Sequence, residues 1–179
     1  GYGISPAMLR LARAQAPRAR LVKKSFIDAK LPQCIAIAAI GEIFSFQLDE
    51  NNTPANFAGT LQRIYETLLP GGVLLFDMVG RGRAGPTGKR AGYTATDDWV
   101  CCFTETEDVA QEILTRDIVS FRRAGKYYRR EEERHVLRIV EPSEVTQQLR
   151  RAGFHVKRLE TYAGLPRYDG LACFLATKS

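Results

Sequence analysis

Residues 68–77 read Leu-Leu-Pro-Gly-Gly-Val-Leu-Leu-Phe-Asp and contain a helix end, a turn and a buried strand. Pro70 cannot continue a helix, and the two glycines after it supply the left-handed turn with which many helices end. Residues 73–76 are all apolar, without alternation, which is typical of a strand covered on both faces. Asp77 is the first polar residue after this run, so we expect it near the carboxyl end of the strand, where open α/β sheets bind ligands. The stretch therefore predicts an α/β fold.

Further helices and strands precede and follow this stretch. A helix is predicted over residues 5–16, because a serine followed by a proline suits a helix start, and a Thr-Pro pair predicts a second helix over residues 53–69. A third helix is predicted over residues 142–151. The predicted strands lie at residues 20–26, 34–40, 73–78, 154–162 and 171–177. The continuous apolar pattern of the strand at residues 34–40 predicts that it is fully buried.

The segment between residues 80 and 140 has a different character. Residues 80–92 are rich in glycine and predict a mobile loop, which is either a lid over a functional site or a disordered insertion. Apolar and polar residues then alternate in three predicted strands, at residues 99–104, 112–122 and 127–140, with a hairpin turn between the last two. We therefore expect a single domain over residues 1–179, with a loop and an antiparallel ribbon inserted after its fifth strand.

Composition and charge narrow the classes of function. The 179 residues have a formal net charge of +6, but the basic residues are scattered along the chain, so we do not expect nucleic acid as a partner. The four cysteines have no C-x-x-C spacing, so we expect free thiols in a reducing compartment and no metal site. No apolar run is long enough to span a membrane and no signal-peptide pattern is present, so we expect a cytoplasmic protein without a membrane partner.

Four short motifs follow one another along the chain. They are Gly3-Ile4-Ser5-Pro6-Ala7-Met8-Leu9, Ser25-Phe26-Ile27-Asp28, Ala39-Ile40-Gly41-Glu42 and Leu69-Pro70-Gly71-Gly72. In this order the sequence resembles class I S-adenosylmethionine-dependent methyltransferases, over about its whole length. The resemblance implies a Rossmann-like sheet, mostly parallel with an antiparallel last strand, and helices on both faces. It also implies S-adenosylmethionine as cofactor and a small molecule as methyl acceptor. An NAD-binding protein is disfavoured, because no strand-linked G-x-G-x-x-G motif is present.

The resemblance further implies which residues border the cofactor. The matching positions are Gly3, Ser5, Met8, Ser25, Phe26, Ile40, Gly41 and Glu42. In the family, the first three border the ribose and adenine, the next two hold the adenine ring, and the last three border the methionine part. Glu42 would meet the ammonium group of the cofactor or help the substrate. The alternatives are that Phe26 is a core residue and that Glu42 is a solvated loop residue.

The acceptor pocket in this family is usually covered by the ribbon after the fifth strand. The side chains available to contact a substrate are Phe46, Trp99, Glu133 and Tyr162. His135 and Glu42 are the catalytic candidates, because a histidine beside a carboxylate can take a proton from an acceptor hydroxyl or amine. Period-two alternation places His135 and Glu133 on one face of a strand. The alternative is that they form cross-strand pairs on a solvated face.

The sequence departs from the family pattern in two places. Gly3 stands where the family has an acidic residue that binds the ribose hydroxyls, and the first strand with its glycine-rich turn has no counterpart in the 179 residues. We therefore expect weak cofactor binding by these residues, a split sheet, and an exposed edge at residues 34–40 that invites pairing with another chain. The explanations left open are a fragment, a dimer or swapped assembly that covers this edge, and a remnant that no longer binds the cofactor. The alternative function is accordingly a non-catalytic, methyltransferase-like homodimer.

Overall fold

The structure, a computed structural model, describes residues 1–162, 164 and 168–179. Three α-helices are present in these residues, at Pro6–Gln15 (α1), Pro54–Thr67 (α2) and Pro142–Arg151 (α3). The strands are Tyr2–Gly3 (β1), Val22–Lys23 (β2), Cys34–Ala39 (β3), Leu68–Val79 (β4), Lys89–Ala95 (β5), Trp99–Asp108 (β6), Ile113–Ala124 (β7), Tyr127–Arg138 (β8), His155–Leu159 (β9) and Leu171–Thr177 (β10). A short 3-10 helix at Ile43–Ser45 follows β3. None of the described helices combines the length and apolar character needed to cross a bilayer.

Four strands form the central sheet, in the order β3-β4-β10-β9. Strand β3 runs parallel to β4, with Ala38 opposite Leu75, and β10 runs antiparallel to both β4 and β9. Strands β1 and β2 form a separate, two-stranded parallel sheet. These pairings confirm the predicted parallel neighbours, the antiparallel last strand and the split sheet.

Helix α2 begins where its sequence requires. The side chain of Thr53 accepts a hydrogen bond from the backbone N–H of Asn56, which caps the helix, and a proline fits the first turn. The helix ends at residue 67, three residues before Pro70, and Gly71 adopts φ +73°, a left-handed conformation that suits glycine. The helix therefore ends two residues earlier than predicted, and residues 70–72, predicted as a turn, lie inside β4, which begins at Leu68 and pairs irregularly with β3 there.

The main core lies between the central sheet and helices α2 and α3. Its aromatic centre is Phe76, whose ring contacts Phe44 at 5.3 Å and Phe174 at 4.9 Å between centroids. The helices contribute buried residues, including Leu61 from α2 and Leu149 from α3. Burying each such side chain contributes about 1.5–3 kcal/mol. This core fixes the carboxyl ends of β3 and β4 beside each other.

The inserted segment forms a four-stranded antiparallel sheet, the ribbon sheet, in the order β5-β6-β7-β8. The prediction of three strands and of a loop through residue 92 was wrong, because residues 89–95 pair with β6. Residues 80–88, the 80–88 loop, form turns whose Gly82 and Ala84 N–H groups donate to the carboxylate of Glu107. The glycine-rich composition of residues 80–92 gave no sign of this strand, which is held by backbone hydrogen bonds to β6.

One prediction of burial was also wrong. Strand β3 is not fully buried, since Ile35 is 57% exposed and Ala36 and Ala38 are exposed. Among the described strands β3 pairs only with β4, so it is an edge strand, and its exposed edge was predicted from the family comparison. The apolar residues Met8 and Leu11 of α1 are likewise exposed, because α1 contacts only the small β1–β2 sheet to any extent. An apolar sequence pattern indicates which residues favour burial, but the tertiary fold decides whether other elements cover them.

Candidate functional site

The turn after β3 lies at the carboxyl ends of the two parallel strands of the central sheet. Gly41 and Glu42 form this turn with φ values of +90° and +62°, and a left-handed glutamate costs on the order of 1 kcal/mol or more. The carboxylate of Asp77, at the end of β4, accepts hydrogen bonds from both N–H groups, from Gly41 at 3.1 Å and from Glu42. Asp77 therefore holds a strained turn in place, at the position where the sequence predicted a ligand site.

The Glu42 side chain is buried between two arginines. Arg83 Nε lies 2.8 Å from Oε1, and Arg116 Nη2 lies 2.8 Å from Oε2. Burial by itself would raise the pKa of the Glu42 carboxyl, but the charges and hydrogen bonds of Arg116 and Arg83 outweigh it and lower the pKa. Glu42 is thus an ionised buried group, and the interpretation of it as a solvated loop residue is wrong.

A row of polar side chains extends from Arg116 across the ribbon sheet. Arg90, Glu105, Arg116 and His135 lie directly opposite one another on four successive strands, and therefore on one face. Glu105 is buried and binds Arg116 at 2.7 Å and Arg90 at 2.6 Å. Burial by itself would lower the pKa of Arg116, but Glu42 and Glu105 raise it, and the net change is a rise. Arg116 therefore stays charged. This face of the ribbon sheet covers the turn formed by Gly41 and Glu42, the Gly41 turn.

His135 lies on the same face, next to the aromatic ring of Phe46. Their ring centroids are 5.2 Å apart, and the carbonyl of Phe46 is held at 2.7 Å by the side chain of Asn52. His135 Nε2 lies 3.2 Å from a carboxylate oxygen of Glu133. Its other ring nitrogen, Nδ1, is buried without a hydrogen-bond partner among the described residues. A buried, unpaired ring nitrogen in a polar row is typical of a functional site.

Tyr162 joins this group from the segment that follows β9. Its hydroxyl donates to Asp77, and burial, followed by the charge and hydrogen bond of Asp77, raises the pKa of Tyr162 far above its usual range. Trp99 does not join the group, although it lies on the same face of the ribbon sheet. It is six residues from Glu105 along β6, which corresponds to roughly 20 Å in an extended strand.

The predicted adenine and ribose residues lie elsewhere. Ser25 hydrogen-bonds to Asp49 and accepts the N–H of Ile27, while Phe26 packs edge-on against Phe44 at 5.0 Å, as the core interpretation predicts. Gly3, Ser5 and Met8 belong to the β1–α1 unit, where Ser5 caps the helix and Met8 is 64% exposed. Ile40, 37% exposed, directly precedes the Gly41 turn.

The site therefore contains residues that the sequence indicated and residues that it did not. Of the predicted set, the structure brings together Ile40, Gly41, Glu42, Phe46, Glu133, His135 and Tyr162. Sequence reasoning missed Arg83 and Arg116, which lie 41 and 74 positions from Glu42 in the chain. Period-two alternation along β7 was the only signal that placed Arg116 on the functional face.

A cleft of about 510 Å³ opens beside this site, at the carboxyl ends of β4 and β9. Gly80, Arg81, Arg158 and Tyr168 are among the residues that line it. Arg83 lies 5.8 Å above the Tyr168 ring, so the cleft adjoins the Glu42 group without containing any of the predicted site residues. The described residues include no cluster of side chains suited to a metal ion.

Solved structures resemble this chain over almost its whole length. An S-adenosylmethionine-dependent methyltransferase from Clostridium acetobutylicum matches with a TM-score of 0.80 at 15% identity, covering 99% of this chain and 74% of that chain. An amino pentose methyltransferase from Micromonospora echinaspora, involved in calicheamicin biosynthesis, matches with a TM-score of 0.75 at 18% identity, covering 100% and 73%. A sugar N-methyltransferase from a Streptoalloteichus species matches with a TM-score of 0.74 at 17% identity, covering 99% and 70%.

Comparison at the level of sequence gives a different result. No protein-family model matches the chain, and no curated protein sequence matches it. Identities of 15–18% to the solved structures are too low to transfer an activity, but the TM-scores establish a common architecture. The chain therefore has the fold of the class I S-adenosylmethionine-dependent methyltransferases.

Proposed function

We propose that this protein is an S-adenosylmethionine-dependent methyltransferase that acts on a small molecule with a nucleophilic amine or hydroxyl group. One observation carries the proposal: the turn at Gly41 and Glu42 lies at the carboxyl ends of parallel strands in a chain with the methyltransferase fold. Open α/β sheets bind ligands at this edge. Two proteins of this fold are named as amino pentose and sugar N-methyltransferases, which favours an amine acceptor.

The residues of the turn fit a bound cofactor. A Cβ atom built on Gly41 would meet nothing within 4 Å, so the backbone here borders open space and can be approached closely. Ile40 and Gly41 would border the methionine part of S-adenosylmethionine. When bound, the cofactor supplies a methyl group on a sulfonium, which is a good leaving group. The chain has to hold the acceptor in line with that methyl group and to exclude water.

His135 is the proposed base. Glu133 holds the His135 ring at Nε2, and the side chain of His135 is 21% exposed. As the acceptor nitrogen or oxygen takes the methyl group, its proton would move to this imidazole. Phe46 keeps the imidazole ring in place from the side. Glu133 and Tyr162 would contact the acceptor, with Tyr162 staying protonated because its pKa is raised. Trp99 lies farther along the face and would contact only a long acceptor.

A second candidate function is a non-catalytic protein that forms a homodimer through β3. The observation that favours it is the edge of β3, which pairs only with β4 among the described strands and exposes Ile35, Ala36 and Ala38. Unpaired edge strands are templates for pairing with another chain. This candidate requires neither His135 nor the Gly41 turn to contact a small molecule.

Calorimetric titration with S-adenosylmethionine and S-adenosylhomocysteine tests the proposal. We expect saturable binding of both compounds and transfer of a labelled methyl group to a member of an amine and alcohol panel. Absence of binding would refute the enzyme and favour the homodimer.

A further inference from the structure

Three segments that are distant in the sequence meet at Glu42. Glu42 belongs to the turn after β3, Arg83 to the 80–88 loop, and Arg116 to β7 of the ribbon sheet. Each arginine binds a different oxygen of the carboxylate, at 2.8 Å in both cases. Glu42 is therefore the charged junction between the central sheet, the loop and the ribbon sheet.

The burial of these ion pairs separates them from the other ion pairs of the ribbon sheet. The side chains of Glu42, Arg83 and Arg116 are 6%, 11% and 16% exposed. The pair between Arg134 and Asp117, on the opposite face, is largely exposed. Exposed pairs contribute little, whereas removing one partner of a buried pair leaves an uncompensated charge and is strongly destabilising. The two kinds of pair therefore predict different responses to the same substitution.

A second acidic residue of the ribbon sheet restrains each arginine. Glu105 binds Nε of Arg116 at 2.7 Å, so the remaining end of that guanidinium is directed at Glu42. The Glu107 carboxylate accepts the N–H groups of Gly82 and Ala84, which flank Arg83. Because each arginine is fixed to the ribbon sheet by a second acidic residue, the position of Glu42 determines where the ribbon sheet lies above the turn.

We propose that Glu42, Arg83 and Arg116 form an ionic clasp that fixes the ribbon sheet over the Gly41 turn, and that Glu42 acts through these arginines rather than as a ligand of the cofactor. The part concerning the cofactor rests on the function proposed above. Methyl transfer requires the acceptor atom to lie about 3–3.5 Å from the methyl carbon. The rate should therefore depend on the distance between His135 and the turn, because His135 would contact the acceptor. Glu42, Arg83 and Arg116 are thus positioning residues.

One backbone hydrogen bond reports directly on this docking. The N–H of Gln47, after the turn, donates to the carbonyl of Val136 on β8 at 2.9 Å. The N–H of Gly41 donates instead to Asp77 within the central sheet and reports on local unfolding of the turn. Hydrogen exchange at these two amides, followed by NMR, separates movement of the ribbon sheet from damage to the turn.

The test compares Glu42→Gln, Arg116→Gln and their double variant with Arg134→Gln as the matched control. Each clasp variant should increase exchange at the Gln47 amide at least tenfold, with less change at Gly41. The double variant should exceed neither single variant by more than about threefold, because the two residues act as one unit. Arg134→Gln should have no effect, and Arg116→Lys should restore only part of the protection, because one ammonium group does not reproduce the forked contacts of the guanidinium with Glu42 and Glu105. If a glutamine variant fails to fold, Glu42→Asp should give a smaller increase of the same kind. Unchanged exchange at Gln47, or fully additive effects, would overturn the clasp.

Affinity for S-adenosylhomocysteine tests the second half of the proposal. A clasp predicts that Glu42→Gln and Arg116→Gln change the Kd by similar factors. A direct ligand role for Glu42 predicts at least tenfold weaker binding for Glu42→Gln alone, and that result would overturn the proposal. If the parent protein does not bind S-adenosylhomocysteine, the proposed function fails, and the exchange results alone then support or refute the clasp.

Discussion

The carboxylate of Asp77 accepts the N–H of Gly41 at 3.1 Å and so joins the end of β4 to the turn after β3. The N–H of Glu42 and the hydroxyl of Tyr162 donate to the same carboxylate. Asp77 is 1% exposed, so these three donors replace the water that a free carboxylate would bind. The segment after β9 and the turn after β3 are therefore stabilised by one buried group.

Replacing Asp77 should destabilise the protein more than replacing any of its partners. Asp77→Ala leaves two backbone N–H groups and one hydroxyl without a partner, at about 1–3 kcal/mol for each group that stays buried. Tyr162→Phe removes one hydrogen bond to a charged group, worth about 1.5–3 kcal/mol. Urea unfolding of both variants measures these losses. A smaller loss for Asp77→Ala than for Tyr162→Phe would contradict this account of the turn.

The stabilisation by Glu42 should depend on pH. Burial favours a higher pKa, but Arg116 and Arg83 lower the pKa of the Glu42 carboxyl overall. A group whose pKa is lower in the folded state stabilises the protein above its unfolded pKa, and this stabilisation is lost as the pH falls through the folded pKa. The difference in unfolding free energy between the parent and Glu42→Gln should therefore be largest at neutral pH and shrink in acid. A difference that stays constant with pH in urea titrations would exclude this electrostatic role.

Removal of the proposed base should affect turnover and leave the cofactor bound. We expect His135→Gln to lower kcat by about 10²-fold or more, since general bases contribute factors of this size. The Kd for S-adenosylhomocysteine should stay within about threefold of the parent value. The control is His155→Gln, which changes an exposed histidine on β9. Loss of turnover and binding together would indicate a folding role for His135, and an unchanged kcat would refute the base.

Gly153 should tolerate substitution much less well than Gly125. Both adopt positive φ, +103° and +65°, so alanine is strained at either position by roughly 1–2 kcal/mol. A Cβ at Gly153 would also lie 2.7 Å from the Tyr65 ring, whereas at Gly125 it would meet nothing within 4 Å. Gly153→Ala should consequently lower the urea midpoint clearly more than Gly125→Ala. Equal midpoints would show that the Tyr65 ring moves aside at little cost.

The edge of β3 should cause self-association of the 179 residues. A lysine at Ile35 places a charge on this edge, and charged edge residues prevent strand pairing. Sedimentation velocity should show a concentration-dependent dimer for the parent chain and a monomer for Ile35→Lys. Leu11→Lys, at an apolar residue of α1 that is 62% exposed, is the control and should leave the dimer intact. A parent chain that stays monomeric at all concentrations would rule out pairing through β3.

The sequence predicted the elements whose signals are local. Thr53 and Pro54 marked the start of α2, and the apolar run at residues 73–76 identified the buried part of β4. Strand β5 was missed because its first four residues fall in the glycine-rich stretch of residues 80–92, which was predicted as a loop. Within the site, the motif around Gly41 was found from its resemblance to a family, whereas Arg83 and Arg116 matched no motif.

By itself, the sequence determined the approximate positions of the helices and of most strands, because caps, prolines and apolar runs act over a few residues. It also determined that Asp77 and Glu42 follow neighbouring strands. Only the tertiary structure decided that Glu42 is buried between two arginines, that His135 keeps an unpaired nitrogen and that the apolar β3 is an exposed edge. Burial and charge pairing depend on residues that are distant in the chain, and only folding brings these residues into contact.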